Sequence, residues 1–119
     1  YSMDLPDVTV KDRVGKYYHI TKSNNTKSIM QQGLKSGDEG LIWLVAEADK
    51  KTILTIALIK RFDFDEFTIL EVDAEGVTGY LVKECFENST HSHHYIKQNI
   101  IEPKHLKVYG NYRIDLKKV

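Results

Sequence analysis

A histidine and a threonine two residues apart, His19 and Thr21, lie in the run Lys16-Tyr17-Tyr18-His19-Ile20-Thr21. The run has strand character, and side chains along a strand alternate between faces, so Tyr17, His19 and Thr21 share one face and Tyr18 and Ile20 the other. An imidazole titrates near neutrality and can donate or accept a proton, and a hydroxyl on the same face can help orient a polar substrate. The rival reading is a core strand whose histidine hydrogen-bonds locally.

The remaining histidines are His91, His93, His94 and His105. A strand through residues 92–97 would put His91, His93 and Tyr95 on one face and His94 and Ile96 on the other. Two imidazoles with no nearby Asp, Glu or Cys make an incomplete zinc set, so no metal site is expected. Paired-histidine phosphodiester chemistry would need a second His-x-Thr or His-x-Ser, and the chain has only His19-Ile20-Thr21. A glycine-rich phosphate loop, Cys-x-x-Cys and His-Glu-x-x-His are all missing. The single cysteine, Cys85, lies between Glu84 and Glu87, whose charges disfavour the thiolate, so a cysteine nucleophile is not expected.

The elements that must hold these groups can be read in order. Residues 1–13 are polar, contain Pro6 and read as a loose lead-in. Ser23-Asn24-Asn25 offers capping side chains to a short helix with Ile29, Met30 and Leu34 along one face, closed by Gly33 as a left-handed cap. Ser36-Gly37-Asp38-Glu39-Gly40 is turn chemistry, and Leu41-Ile42-Trp43-Leu44-Val45 reads as a central strand. Residues 47–61 read as a buried helix and Phe67 to Val72 as an alternating strand. Tyr80-Leu81-Val82 is at most a short strand, and Glu84 to Ser92 reads as a loop. Strand character resumes at His93 to Lys97, continues through Ile100-Ile101 and is broken by Pro103. Leu106 to Tyr109 and Tyr112 to Ile114 make a closing strand pair or one bulged strand. Strand, helix, strand, helix and then several strands is an α+β pattern with a mostly antiparallel sheet.

At 119 residues, the chain has the length of a single domain spanning 1–119. Hydrophobic residues at 41% and charged ones at 29% fit a folded protein, not a disordered chain. No apolar run reaches the roughly 18 residues of a spanning helix, and the opening residues do not read as a signal peptide. A cytoplasmic monomer with no membrane partner is expected. Net charge is zero, which removes a global electrostatic case for nucleic acid. Acidic residues nonetheless gather between 63 and 75 and basic ones from Lys97 onward.

Taken together, Tyr18-His19-Ile20-Thr21, the helix ending at Gly33-Leu34, Gly40-Leu41-Ile42-Trp43-Leu44, Phe67-Thr68-Ile69-Leu70-Glu71-Val72-Asp73 and His94-Tyr95-Ile96-Lys97 resemble the ADP-ribosyltransferase fold. The likeness runs from Tyr17 to about Tyr112. It is closest in layout to the poly(ADP-ribose) polymerase and diphtheria-toxin branch and to the tRNA 2′-phosphotransferases. The resemblance implies an α+β, mostly antiparallel split β-sheet with a few short helices and a cleft for NAD. His19 would bond the NAD ribose with Thr21 in support, while Tyr18, Ile42, Trp43 and Tyr95 would line the cofactor site. His94, standing where the polymerases carry a glutamate, would be catalytic together with His19 on a neighbouring strand. A histidine supplies no negative charge for an oxocarbenium-like ribose, so polymer synthesis is not expected. The activity implied is toxin-like mono-ADP-ribosyl transfer from NAD to a protein or nucleic-acid acceptor. The alternatives are NAD-dependent RNA 2′-phosphotransfer, for which the chain offers only Arg13, Arg61 and Arg113 to hold an RNA phosphate, and a catalytically silent binding module.

Overall fold

The structure is a computed structural model and describes residues 8–9, 15–37, 39–46, 66–84 and 93–113. Nine strands are described: β1 (Val8–Thr9), β2 (Lys16–Lys22), β3 (Leu34–Lys35), β4 (Leu41–Val45), β5 (Glu66–Asp73), β6 (Tyr80–Glu84), β7 (His93–Lys97), β8 (Ile100–Ile101) and β9 (Leu106–Arg113). One α-helix, α1 (Thr26–Gln32), and three short 3-10 turns join them among the described residues. Seven strands form one sheet in the order β1-β6-β7-β4-β2-β5-β9, and β3 pairs with β8 in a separate ribbon. Every described ladder is antiparallel. The protein is therefore an α+β structure built on a mostly antiparallel sheet.

β5 is the spine of one half of this sheet. It pairs with β2 along the whole of β2, from Lys16↔Asp73 to Lys22↔Phe67, and with β9 on its other side. Its run Phe-Thr-Ile-Leu-Glu-Val is β-branched and aromatic, which suits a strand packed on both faces. Phe67, Thr68, Ile69, Leu70 and Val72 are all buried accordingly. In the other half, β4 pairs with β7 from Leu41↔Lys97 to Val45↔His93, and β7 pairs with β6. The two halves meet between β2 and β4 at a single residue pair, Tyr18↔Val45. No further pair joins β2 to β4 among the described residues, so the ladder between the two halves is short.

Alternation sorts the core. Tyr17 opposes Val72, Leu44 opposes His94 and Ile42 opposes Ile96, so these side chains share one face. Tyr17, Ile42, Leu44, Val72 and Ile96 belong to one buried cluster with Leu34, Leu81, Ile101 and Leu106. Each such side chain contributes about 1.5–3 kcal/mol when removed from water. His94 is buried among them at 6% exposure, with its ring edge-on to Tyr17 at 6.0 Å between centroids.

Two polar devices hold the connections. Thr68 Oγ1, fully buried on β5, accepts from Thr26 Oγ1 at 2.8 Å, donates to Asn111 Oδ1 at 2.7 Å and lies 3.3 Å from Ser23 Oγ. One hydroxyl thereby ties the start of α1 to β5 and β9. Gln98, between β7 and β8, uses its whole amide: Oε1 accepts from the Thr78 and Gly79 N–H groups at 2.9 Å each, and Nε2 donates to the Gly76 and Ile100 carbonyls at 2.7 and 2.8 Å.

Several expectations change against these observations. Ser23-Asn24-Asn25 forms a 3-10 turn, and the Asn25 side chain makes no capping bond, because the hydroxyls of Ser23 and Thr26 are directed to Thr68 instead. Gly33 does close α1 at positive φ, 97°, but its ψ of 164° lies outside the left-handed helical region. A Cβ there would meet Ile100 Cδ1 and the Ile101 carbonyl at 2.8 Å, so close packing adds to the need for glycine. Ile100-Ile101 pairs with β3 instead of prolonging β7. Val8–Thr9 pairs with β6, so that part of the lead-in is ordered. The closing element is one strand whose register shifts opposite Ile69 and Leu70, a bulge that leaves Tyr109 without a counterpart on β5. The expected helix at 47–61, the rest of the expected loop after Glu84, Cys85 and His91 fall outside the described residues.

Two stability predictions follow from this packing. Gln98→Ala strands two backbone donors and two carbonyls at once and should lower the unfolding free energy by about 2 kcal/mol or more in urea denaturation. A loss under about 0.5 kcal/mol would mean the amide is dispensable. His94→Ala opens a cavity beside Tyr17 and should cost about 2–4 kcal/mol by the same measurement. An unchanged denaturation midpoint would place no packing role on this ring.

Candidate functional site

The split between β2 and β4 sets the position of His19. Where the ladder stops after Tyr18↔Val45, the His19 ring crosses the gap and its Nδ1 lies 2.7 Å from the Trp43 carbonyl oxygen of β4. A carbonyl only accepts, so Nδ1 carries the hydrogen and donates. A side chain thus makes a cross-strand bond where the backbone pairing has ended, and it holds the imidazole at the mouth of the opening.

A cleft of about 450 Å³ occupies this position, lined by His19, Lys35, Gly37, Glu39, Leu41, Ile42 and Trp43. The volume lies within the roughly 300–1,000 Å³ usual for small-molecule sites. Ile42 is buried, while Trp43 is 42% exposed, with its backbone carbonyl toward His19 and its side chain, by alternation, on the Tyr18 face of the sheet. Tyr95, directly opposite Trp43 in the β4–β7 ladder, supports that indole with a tilted ring contact at 5.2 Å. A half-supported, half-exposed indole is a platform on which a planar heterocycle can stack.

The far wall comes from the β3–β4 connection. Lys35 ends β3, and its Nζ donates to Gln32 Oε1 at 3.4 Å. The following loop is folded on itself by Gly37 N–H to the Leu41 carbonyl at 3.1 Å and Gly40 N–H to the Gly37 carbonyl at 3.0 Å. Gly40 adopts φ of 71°, a conformation that favours glycine. The loop is also tied to the β7–β8 turn, with Ser36 N–H donating to the Asn99 carbonyl and Gln98 N–H to the Gly40 carbonyl. Glu39 is carried on this braced loop. Among the described residues the cleft therefore brings together the His19 imidazole, the Lys35 ammonium and the Glu39 carboxylate.

Of the residues singled out in the sequence, His19, Ile42 and Trp43 come together in this cleft, and Tyr95 stands behind Trp43. Thr21 shares the His19 face by alternation and is buried at 8% exposure. Tyr18 points to the opposite face, where its ring meets Tyr109 edge-on at 5.2 Å. His94 and His19 are not on neighbouring strands, because β4 runs between β7 and β2. They share a face of the sheet, but His94 packs in the core against Tyr17 and does not line the cleft. Lys35 and Glu39 were missed in the sequence. The available signal was a turn rich in glycine and charge immediately before the central strand, where a loop and a strand end can share one opening.

No family model, no curated protein and no solved structure matches the chain.

Proposed function

We propose that the cleft beside His19 binds NAD and that the protein is a mono-ADP-ribosyltransferase on an ADP-ribosyltransferase-like split sheet. The observation that carries this reading is the His19 imidazole, fixed to the Trp43 carbonyl across the gap between β2 and β4 at the edge of a ligand-sized cleft. The imidazole so held at the edge of the cleft is the group proposed to meet a ribose hydroxyl. The Lys35 ammonium suits a pyrophosphate. An imidazole and an ammonium fit two parts of the dinucleotide, its sugar and its anionic bridge.

The proposed reaction breaks the bond between the anomeric carbon of the ribose and the nicotinamide nitrogen. Nicotinamide leaves neutral with the bonding electron pair, and an acceptor oxygen or nitrogen forms the new bond to the anomeric carbon. The acceptor's proton passes to a base. Among the described residues lining the cleft Glu39 is the carboxylate, and it takes the part that the histidine at position 94 cannot: a negative charge near the oxocarbenium-like carbon and an acceptor for that proton. His94 becomes a supporting residue that packs Tyr17 behind the His19 strand.

The test combines calorimetric NAD binding with nicotinamide release for the wild type, His19→Ala and Glu39→Gln. His19→Ala should weaken NAD binding by about 1–3 kcal/mol. Glu39→Gln should leave binding within about threefold and lower nicotinamide release by about 10²-fold. Binding without release in the wild type, across protein and nucleic-acid acceptors, would assign the cleft to a silent binding module. Absence of NAD binding would remove the reading altogether.

A further inference from the structure

We propose that Asp73, Glu75 and His105 form a binding site for a divalent transition-metal ion, separate from the cleft at His19 and independent of the NAD reading. One donor atom from each of the three residues lies within 4.8 Å of the others, close enough for all to contact one ion. Their positions in the chain hid this grouping. Asp73 ends β5, Glu75 lies in the 3-10 turn Ala74–Gly76, and His105 ends the 3-10 turn Pro103–His105 before β9.

The local structure brings these groups together. Asp73 Oδ1 accepts the Glu75 N–H at 3.2 Å, which orients the first carboxylate and leaves Oδ2 for a ligand. His105 seats directly against the neighbouring turn, where a Cβ on Gly76 would meet His105 Cβ at 2.7 Å and Cγ at 2.9 Å. Only glycine at 76 lets the imidazole approach this closely.

Charge and space also favour an ion. Two carboxylates within contact range of each other repel, and a cation between them converts that repulsion to attraction. A cavity of about 270 Å³ adjoins the group, lined by Asp73, Glu71 and His105 together with Lys16, Lys104 and Lys107. Lys16 Nζ lies 3.1 Å from Glu71 and Lys104 Nζ 3.5 Å from Glu102, so a bound ion competes with these ammonium groups for the carboxylates. Coordination positions beyond the three protein donors can open into it and be filled by water. An imidazole nitrogen beside two carboxylate oxygens suits a borderline ion such as Zn²⁺ or Co²⁺ better than Mg²⁺ or Ca²⁺, which prefer all-oxygen sets.

The test is a calorimetric titration with Zn²⁺, repeated with Co²⁺ while following its visible absorption, on the wild type and on His105→Ala, Glu75→Gln and a His91→Ala/His93→Ala double variant. Saturable one-to-one binding is expected in the wild type. Loss of a supporting group alone costs metal sites about 10–100-fold, so each of the first two variants should lose at least about tenfold in affinity. The double variant should bind as the wild type does. Glu75 is exposed, so Glu75→Gln tests the site even if His105→Ala unfolds. Three results would each overturn the proposal: no saturable binding, loss of binding in the double variant with retention in His105→Ala, or Mg²⁺ binding as tightly as Zn²⁺.

Discussion

The hydrogen bond from His19 Nδ1 to the Trp43 carbonyl is the contact on which the site depends. A sheet that opens between two of its central strands must satisfy the backbone groups that lose their partners, since a stranded carbonyl costs free energy comparable to a lost hydrogen bond. Here the ladder between β2 and β4 stops at Tyr18↔Val45, and the imidazole takes up the next exposed carbonyl. The same bond makes Nδ1 the donor and holds the ring at the edge of the cleft. Structural satisfaction of the split and preparation of a functional group are therefore one interaction, and removing it should be felt in both.

The rest of the described structure braces β2 and β4 on either side of this short ladder. On one side β5 and β9 brace β2, with the Thr68 hydroxyl tying α1 to the same strands. On the other side β7 and β6 brace β4, with the Gln98 amide and the paired loops at Gly37–Leu41 and Ser36–Asn99 securing the turn that carries Glu39. The two halves share one core face, where Tyr17 from β2 meets His94 from β7 across the end of β4. At the outer end of β2, Lys16 is held by Glu71. That carboxylate's hydrogen bond, followed by its charge, raises the lysine's pKa above its ordinary value. Whatever this exposed pair adds to folding is present below the unfolded lysine's pKa and fades as pH rises through the higher folded one.

Much of this architecture was legible in the chain because local patterns agreed with it. The strands at Lys16–Lys22, Leu41–Val45 and Glu66–Asp73 follow from continuous β-branched and aromatic runs, and α1 from its apolar spacing and closing glycine. The groups that turned out to be assembled by tertiary contacts were not legible. His94 carries the same residue type as His19, and nothing local distinguishes a ring that will pack against Tyr17 from one that will line a cleft. Glu39 lies in a turn whose purpose is visible only once β3 and β4 are seen to border the same opening. Ile100-Ile101 reads as a continuation of β7 because both segments are apolar, yet Gln98 turns the chain by bonding four backbone groups, and β8 joins β3 instead. The grouping of Asp73, Glu75 and His105 depends in the same way on two turns meeting in space, with Gly76 making room.

The chain's one tryptophan is Trp43, whose carbonyl His19 bonds at the edge of the cleft, so its intrinsic fluorescence reports on β4 beside this site. Titrating NAD while exciting the indole selectively is the most direct measurement of the central claim. Saturable quenching of Trp43 is predicted in the wild type, with the midpoint moved to higher NAD concentration in His19→Ala and unmoved in a folded His105→Ala control. A strictly linear decrease with NAD, or a midpoint indifferent to His19, would contradict the claim that the bond across the split builds a dinucleotide site.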